Sequence, residues 1–294
     1  MNPNMTIYLD GEYVKLADAK ISVFDHGLLY GDGIFEGIRV YNGRIFKLEE
    51  HIRRFFEGAK AILLDLPLTF DEIVKMIPET CRRNQIHDGY IRLVATRGVG
   101  DLGINPTKCK KSTIFCIADT ISVYPEEMYK SGIAVITAQQ RRNNSTILDT
   151  QIKSLNYLNN ILARIEANHA GAQEAIMLAQ NGVVAECTVA NIFIVKDGII
   201  YTPPIYCGAL GGITRHTVID LAREAGYELQ EKEFTLFNVY NADECFLTGT
   251  GAECIAVTSA DRRVIGTGVA GPVTERILAL YRDYVRSNGT EIYS

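Results

Sequence analysis

The chain has 294 residues, 47% of them hydrophobic and 22% charged, the proportions of a globular protein that buries a large core. An excess of 35 acidic over 30 basic side chains gives a formal charge of -5, which argues against a nucleic-acid backbone as partner. With no basic leader ahead of an apolar stretch and no run of membrane length, the expected location is the cytoplasm. Seven cysteines, an odd number without a CxxC pair, suit neither a disulfide framework nor a zinc site, so reduced, mostly core thiols and no protein-built metal site are expected.

The N-terminal part alternates strands and helices. "GIRVYNGRIFKL" predicts a hairpin turning at Asn42-Gly43, residues that tolerate positive φ. "LEEHIRRFFEGAKAILLD" then switches to helical period, with Ile52, Phe55, Phe56, Ala59, Ile62 and Leu63 on one face. A second helix follows near Asp71 to Asn84, then strands "GYIRLVATRG" and "STIFCIADT". "ISVYPEEMYKSG" loses periodicity and carries Pro125, marking a linker. Beyond it come strand "IAVITAQQ" and "DTQIKSLNYLNNILARIEA", Asp149 to Ala167, which has the pattern of one amphipathic helix with Lys153 at its threshold. Its Leu155, Leu158, Ile161, Leu162 and Ile165 are expected in the core. Two more tight turns, Asn181-Gly182 and Asp197-Gly198, precede a helix from Thr214 to Ala225, strands at Glu228 to Phe234 and Glu244 to Thr248, and a helix after Pro272. So many hairpins imply antiparallel pairing rather than a doubly wound sheet.

Three segments could carry chemistry. "GALGGITRHTVIDLAREAG" runs a glycine turn into a helix start, with Thr214 where an N-cap would stand. Outward N-H groups there suit a phosphate, although a plain capped helix has the same pattern. "LTGTGAE" flanks Thr250 with Gly249 and Gly251, the makings of an anion nest, and lacks the lysine of a P-loop. Glu186 in "NGVVAECTVANIFIVKDG" sits within an apolar strand, so it must be paired or must lean into solvent at the strand end.

In order along the chain, "YGDGIFEGIRVY", "HIRR", "IKSLNYLNN", "VAECTVANIF", "GGITR" and "LTGTGAE" resemble the fold type IV pyridoxal-phosphate aminotransferases, and most the branched-chain enzymes among them. The resemblance implies an α+β fold: a small α/β domain over 1-120, a linker over 121-132, and a larger cofactor domain over 133-294 with a mostly antiparallel, barrel-like sheet flanked by helices. It implies pyridoxal 5'-phosphate as cofactor, with Lys153 as its Schiff-base lysine, Glu186 at the pyridine nitrogen and Tyr157 at the phenolic oxygen. A carboxylate beside that nitrogen keeps it protonated, so that the ring accepts electrons. The phosphate would lie on Ile213, Thr214, Thr250 and Arg54, the last against the helical wheel, which turns Arg54 away from the apolar stripe toward His51, Gly58 and Ala61.

On the substrate side the resemblance implies Tyr30, Phe35 and Gly37 as pocket walls. Tyr90 and Arg92 lie two residues apart on one strand face; their pattern also fits a surface ion pair. Leu102 and Ile104 would belong to a loop reaching the partner subunit's site, and Tyr129 would act as a lid. Gly251, where relatives carry a slightly larger residue, bears on chain-length preference, and Thr188 replaces a smaller residue. The implied activity is transamination of L-leucine, isoleucine and valine with 2-oxoglutarate by a homodimer or an oligomer of dimers. The rivals are the same fold acting on D-amino acids or on aminodeoxychorismate, and a non-enzymatic binder of phosphorylated metabolites.

Overall fold

A computed structural model describes residues 3-120 and 124-293. Elements follow in chain order. They are β1 (Thr6–Leu9), β2 (Glu12–Lys15), α1 (His26–Tyr30), β3 (Gly33–Tyr41), β4 (Arg44–Ile45), α2 (Leu48–Ala61), α3 (Phe70–Arg83), β5 (Gly89–Thr96) and β6 (Thr113–Asp119). Next come α4 (Glu126–Ser131), β7 (Ile133–Thr137), α5 (Leu158–His169), β8 (Glu174–Leu178), β9 (Val184–Cys187), β10 (Asn191–Lys196) and β11 (Ile199–Thr202). The chain continues through α6 (Ile213–Glu224), β12 (Leu229–Glu231), α7 (Leu236–Tyr240), β13 (Glu244–Gly249), β14 (Glu253–Ala260), β15 (Arg263–Val264), α8 (Pro272–Ser287) and β16 (Thr290–Glu291).

By contact the chain divides into two compact units, one of Met1–Ile121, Ile152–Asn156 and Val285–Ser294, the other of Ser122–Gln151 and Tyr157–Tyr284. The division follows packing rather than a linear cut: the short run that carries Lys153 belongs to the first unit. Of the expected linker, residues 121-123 lie outside the described residues, and the rest holds the short helix α4.

The first unit is built on an antiparallel sheet ordered β16-β4-β3-β5-β6-β1-β2. Asn42 and Gly43 turn the β3–β4 hairpin at φ 48° and 71°, the left-handed pair that a tight two-residue hairpin turn requires. Alternation along β3 divides the faces. Ile34, Ile38 and Val40 enter the core under Ile52 and Phe55 of α2 and Ile73 of α3, leaving Phe35, Gly37 and Arg39 on the other side. Helix α3 starts at a capping box between Thr69 and Glu72. Leu63, expected on the stripe of α2, instead lies past its end at φ 51° and is 84% exposed, because the helix stops at Ala61.

The second unit holds a sheet ordered β12-β11-β10-β13-β14-β7-β8-β9, mostly antiparallel, with β15 on β14. Strands β9 and β10 stand five steps apart in that order, roughly 24 Å across a flat sheet. Only residues 188-190 join them, too few to span such a gap. The sheet therefore curls until these strands approach, and the Cys187 N-H donates to the Ala190 carbonyl at 2.7 Å. A barrel-like sheet follows from the connection length alone.

Two expectations about the lysine segment are corrected. Asp149 to Tyr157 is not helical, and α5 begins at Leu158. The face that α5 buries is Asn160, Ala163 and Ala167, small side chains that let it lie close on β8. Leu158, Ile161, Leu162 and Ile165 are 41% exposed or more, so the apolar periodicity marked an outer face. Six of the seven cysteines are buried, and all are free thiols. Among the described residues no helix is long and apolar enough to cross a membrane.

Because Ala163 is fully buried, Ala163→Leu should overpack the seam under α5 and cost about 1-3 kcal/mol. A lowered urea midpoint at unchanged m-value is the expected readout.

Candidate active site

Lys153 is fixed by β3 rather than by a helix. The Phe35 N-H donates to the Lys153 carbonyl at 2.9 Å, the Leu155 N-H donates to the Gly33 carbonyl at 2.9 Å, and Ile34 bridges Ser154. Residues 152-155 thus run as a short strand beside the start of β3. The ammonium then lies over the Phe35 ring, 4.4 Å from its centroid. On the same ring Arg92 stacks at 4.5 Å, and its Nη2 donates to Tyr90 Oη at 3.0 Å. Tyr90 and Arg92 therefore share a face as alternation predicts, held by stacking and a hydrogen bond rather than as a surface ion pair. Opposite Arg92, Gly37 has no side chain because a Cβ there would come within 1.9 Å of Tyr90 Oη.

On the core side of β3, Glu36 is fully buried. Arg54 grips it with a two-toothed fork, Nε to Oε1 and Nη2 to Oε2, both at 2.7 Å. His51 adds Nδ1 to Oε2 at 2.7 Å. Burial pushes the Glu36 carboxyl up, but Arg54 and His51 overcome it and hold the group down at about 2. Burial lowers His51, outweighing the pull of Glu36. An ionised carboxylate can only accept, so Nδ1 of His51 carries the proton of this hydrogen bond. The wheel's outward placement of Arg54 is corrected: a partner on the neighbouring strand draws the side chain in, to 12% exposure. His51 and Gly58 of its sector are buried with it, whereas Ala61 is exposed.

Elsewhere in the first unit, Tyr30 Oη donates to the Leu102 carbonyl, tying α1 to the loop of Leu102 and Ile104. That loop exposes both side chains, by 70% and 79%. Arg97 takes Asp32 on Nε and Nη2 and the carbonyls of Ile62 and Leu63, a structural set of contacts.

In the second unit Glu186 lies within β9, 5% exposed. Its Oε1 receives Arg142 Nε at 2.8 Å and Nη2 at 2.7 Å, and its Oε2 receives the Leu210 N-H at 3.0 Å and Asn191 Nδ2 at 3.3 Å. It is the paired strand carboxylate and not one leaning into solvent. From Leu210 the chain turns at Gly211-Gly212 into α6. The N-cap is Gly212, two positions earlier than Thr214, and has no side-chain cap bond; a Cβ on it would come within 2.2 Å of Asn191 Oδ1. Ile213 and Thr214 form the first turn, which has no acidic residue. Behind it Arg215 is buried, with Nη2 donating to Glu231, which pairs its charge, and to the Pro203 carbonyl, while Nε and Nη1 have no partner among the described residues. Register pairs Asn191 with Thr248, so the turn of Thr250 and Gly251 leaves the sheet at the same end. Tyr129 of α4 donates to the Ala252 carbonyl at 3.1 Å beside that turn. Tyr157 stands at the N-cap of α5, half-buried.

The first unit thus presents an amine on an aromatic face. The second holds a buried carboxylate paired with a guanidinium, next to a glycine-led helix start. The amino-transferase class IV family profile matches residues 33–260. The chain belongs to the class IV aminotransferases. It is 50% identical over 289 residues, 98% of this chain and 99% of the relative, to a Methanocaldococcus jannaschii protein named provisionally as a branched-chain-amino-acid aminotransferase. It is 40% identical to the branched-chain-amino-acid aminotransferase of Pseudomonas aeruginosa, covering 98% and 95% of the two chains. The structure superposes with TM-score 0.94 at 33% identity on the branched-chain amino acid aminotransferase of Escherichia coli, covering 99% and 98%. A second solved branched-chain amino acid aminotransferase, with pyridoxamine 5'-phosphate, superposes with TM-score 0.93 at 38% identity, covering 96% and 94%.

For a class IV aminotransferase the charge partners are as informative as the motifs, and they escaped the sequence reading. Arg142 lies in "QQRRNN", a polar run with the look of a surface loop. A buried Glu186 needs some such cation, and nothing in its own strand supplies one. Glu36 stood in a strand motif read for its aromatic and glycine positions, and its two-residue offset from Ile34 and Ile38 was the available sign that it points into the core.

The folded-state carboxyl of Glu36 lies at about 2, below its ordinary 4.5, so its contribution is complete above pH 4.5 and is lost as pH falls toward 2. Glu36→Gln should remove on the order of 3 kcal/mol at pH 7. It should also flatten the acid limb of the stability curve between pH 4.5 and 2, measured by urea unfolding at a series of pH values.

Proposed function

We propose that this class IV aminotransferase moves the amino group of L-leucine, isoleucine and valine to 2-oxoglutarate, giving branched-chain 2-oxo acids and L-glutamate, with pyridoxal 5'-phosphate as cofactor. The observation that carries the substrate class is the near full-length likeness to named branched-chain aminotransferases. When bound, the cofactor supplies an electron sink for the pair left at the substrate Cα. The groups described above fit it: Lys153 as the amine that holds it, Glu186 for its ring nitrogen, Tyr157 for its phenolic oxygen, and Arg54, Ile213, Thr214 and Thr250 for its phosphate.

Lys153 Nζ would take the proton from the substrate Cα and deliver it to the cofactor carbon that keeps the amino nitrogen, so one amine serves as anchor, base and acid. Glu186 would keep a proton on the ring nitrogen. The helix start at Ile213 and Thr214 would hold the phosphate by its N-H groups. On the substrate side, Phe35 and Gly37 offer the apolar surface that a branched side chain needs, while Arg92 with Tyr90 offers a cation and a hydroxyl suited to the distal carboxylate of glutamate. Tyr30 belongs to the same wall. Tyr129 and Gly251 flank the turn after β13, where the extra room left by Gly251 bears on chain length.

A homodimer, or an oligomer of dimers, is the assembly this reading favours. Val23, Leu28, Leu102 and Ile104 leave large apolar area exposed on segments tied together by the Gly100 N-H on the Phe24 carbonyl, and such area marks an interface. In that assembly Leu102 and Ile104 reach the partner subunit's site. Free thiols throughout suit the reducing cytoplasm.

Lys153→Ala should lose steady turnover of L-leucine with 2-oxoglutarate while keeping the far-UV spectrum of the parent. Measurable turnover without added amine would contradict the role. D-alanine should support less than about a hundredth of the L-leucine rate in the parent enzyme. Gly37→Ala should push Tyr90 aside and lower kcat/KM for branched-chain substrates by roughly 10- to 100-fold, a loss read in steady-state kinetics.

A further inference from the structure

Glu186 is buried in β9 among apolar residues, and its four hydrogen bonds among the described residues come from other segments. Two of these donors, Asn191 Nδ2 and the Leu210 N-H, are neutral. The third group is a cation, Arg142, which is 7% exposed and spends two donors on Oε1. Its remaining donors are also engaged. Nε is shared with the Gly208 carbonyl at 3.2 Å, and Nη1 meets Asn160 Oδ1 at 2.9 Å and Asn159 Oδ1 at 3.4 Å. Asn160 in turn donates to the Thr188 carbonyl at 2.6 Å, two residues after Glu186. The guanidinium is thus locked on both sides, and it links the carboxylate to the first turn of α5.

A carboxylate facing a ring nitrogen shares one proton with it, and two arrangements compete. Either the pair is ionic, with the proton on nitrogen, or it is neutral, with the proton on oxygen. Burial favours the neutral arrangement, because desolvation penalises separated charge. Only the ionic arrangement makes the ring a strong electron acceptor. A neutral donor such as Asn191 cannot tip this balance by charge; a buried guanidinium at 2.7 Å can. We infer that Arg142 is a positioning residue for transamination: it keeps Glu186 ionised and in place, and thereby keeps the proton on the ring nitrogen of the bound cofactor. The inference rests on the reading of Glu186 proposed above.

The test uses holoenzyme reconstituted with pyridoxal 5'-phosphate labelled with 15N in the ring, whose chemical shift separates protonated from neutral nitrogen. Parent, R142K, R142Q and E186Q are compared across pH, together with the rate of the half-reaction with L-leucine. Lysine keeps the charge and loses the fork, so R142K should retain a protonated nitrogen and react about 10-fold more slowly. R142Q, like E186Q, should show a neutral nitrogen at about pH 8 and react on the order of 100-fold more slowly. A protonated nitrogen in R142Q alongside a neutral one in E186Q overturns the role of Arg142 and leaves that of Glu186 standing. A parent-like signal in E186Q overturns both. Should R142Q fail to fold, R142K decides: a protonated nitrogen with the slower half-reaction supports the inference, and a half-reaction at the parent rate overturns it.

Discussion

A carboxylate buried inside an apolar sheet needs a cation against it, and the pairing of Glu186 with Arg142 meets that constraint in the second unit. Much of the local structure is arranged around it. The curl of the sheet brings β9 back to β10, which places Asn191 beside Glu186. The chain segment from Gly208 to Gly212 then passes over the same carboxylate, giving it the Leu210 N-H and closing against Asn191 so tightly that Gly212 cannot carry a side chain. Helix α6 starts from that turn. The charge pair and the helix start are consequently one construction, and displacing the carboxylate would disturb the turn that opens the helix.

The first unit solves a similar problem by similar means. Glu36 is buried under α2 and is held by Arg54 and His51, so the strand that carries Phe35 and Gly37 on one face is pinned to the helix on the other. Strand alternation makes this possible: a residue used for anchoring and its neighbours used for the site point opposite ways. Lys153 is attached to the same strand through main-chain hydrogen bonds. Its direction therefore depends on β3, which is hydrogen-bonded between β4 and β5, and not on the start of a helix.

Much of the fold was legible in the residues, and the failures have physical causes. Asn42-Gly43 and Asp197-Gly198 announced their hairpins because their φ angles admit few other residues. Helix α3, expected from about Asp71, begins at Phe70 behind the capping box of Thr69 and Glu72. The lysine segment misled because apolar spacing reports that a face is covered without saying what covers it. Leu158, Ile161, Leu162 and Ile165 have helical spacing, yet the face that α5 buries is made of Ala163 and Ala167. The site motifs were legible through resemblance, as an ordered set. Their charge partners were not, since Arg142 and Glu186 are 44 positions apart, and a long-range ion pair has no local period.

Running the two halves of the reaction separately tests the account most directly. Purified protein loaded with pyridoxal 5'-phosphate should lose its visible absorbance band when mixed with L-leucine alone and release one equivalent of the 2-oxo acid. It should regain that band when 2-oxoglutarate is added. A band that L-leucine leaves unchanged, or that bleaches without release of a 2-oxo acid, would contradict the assignment of amino transfer to this site.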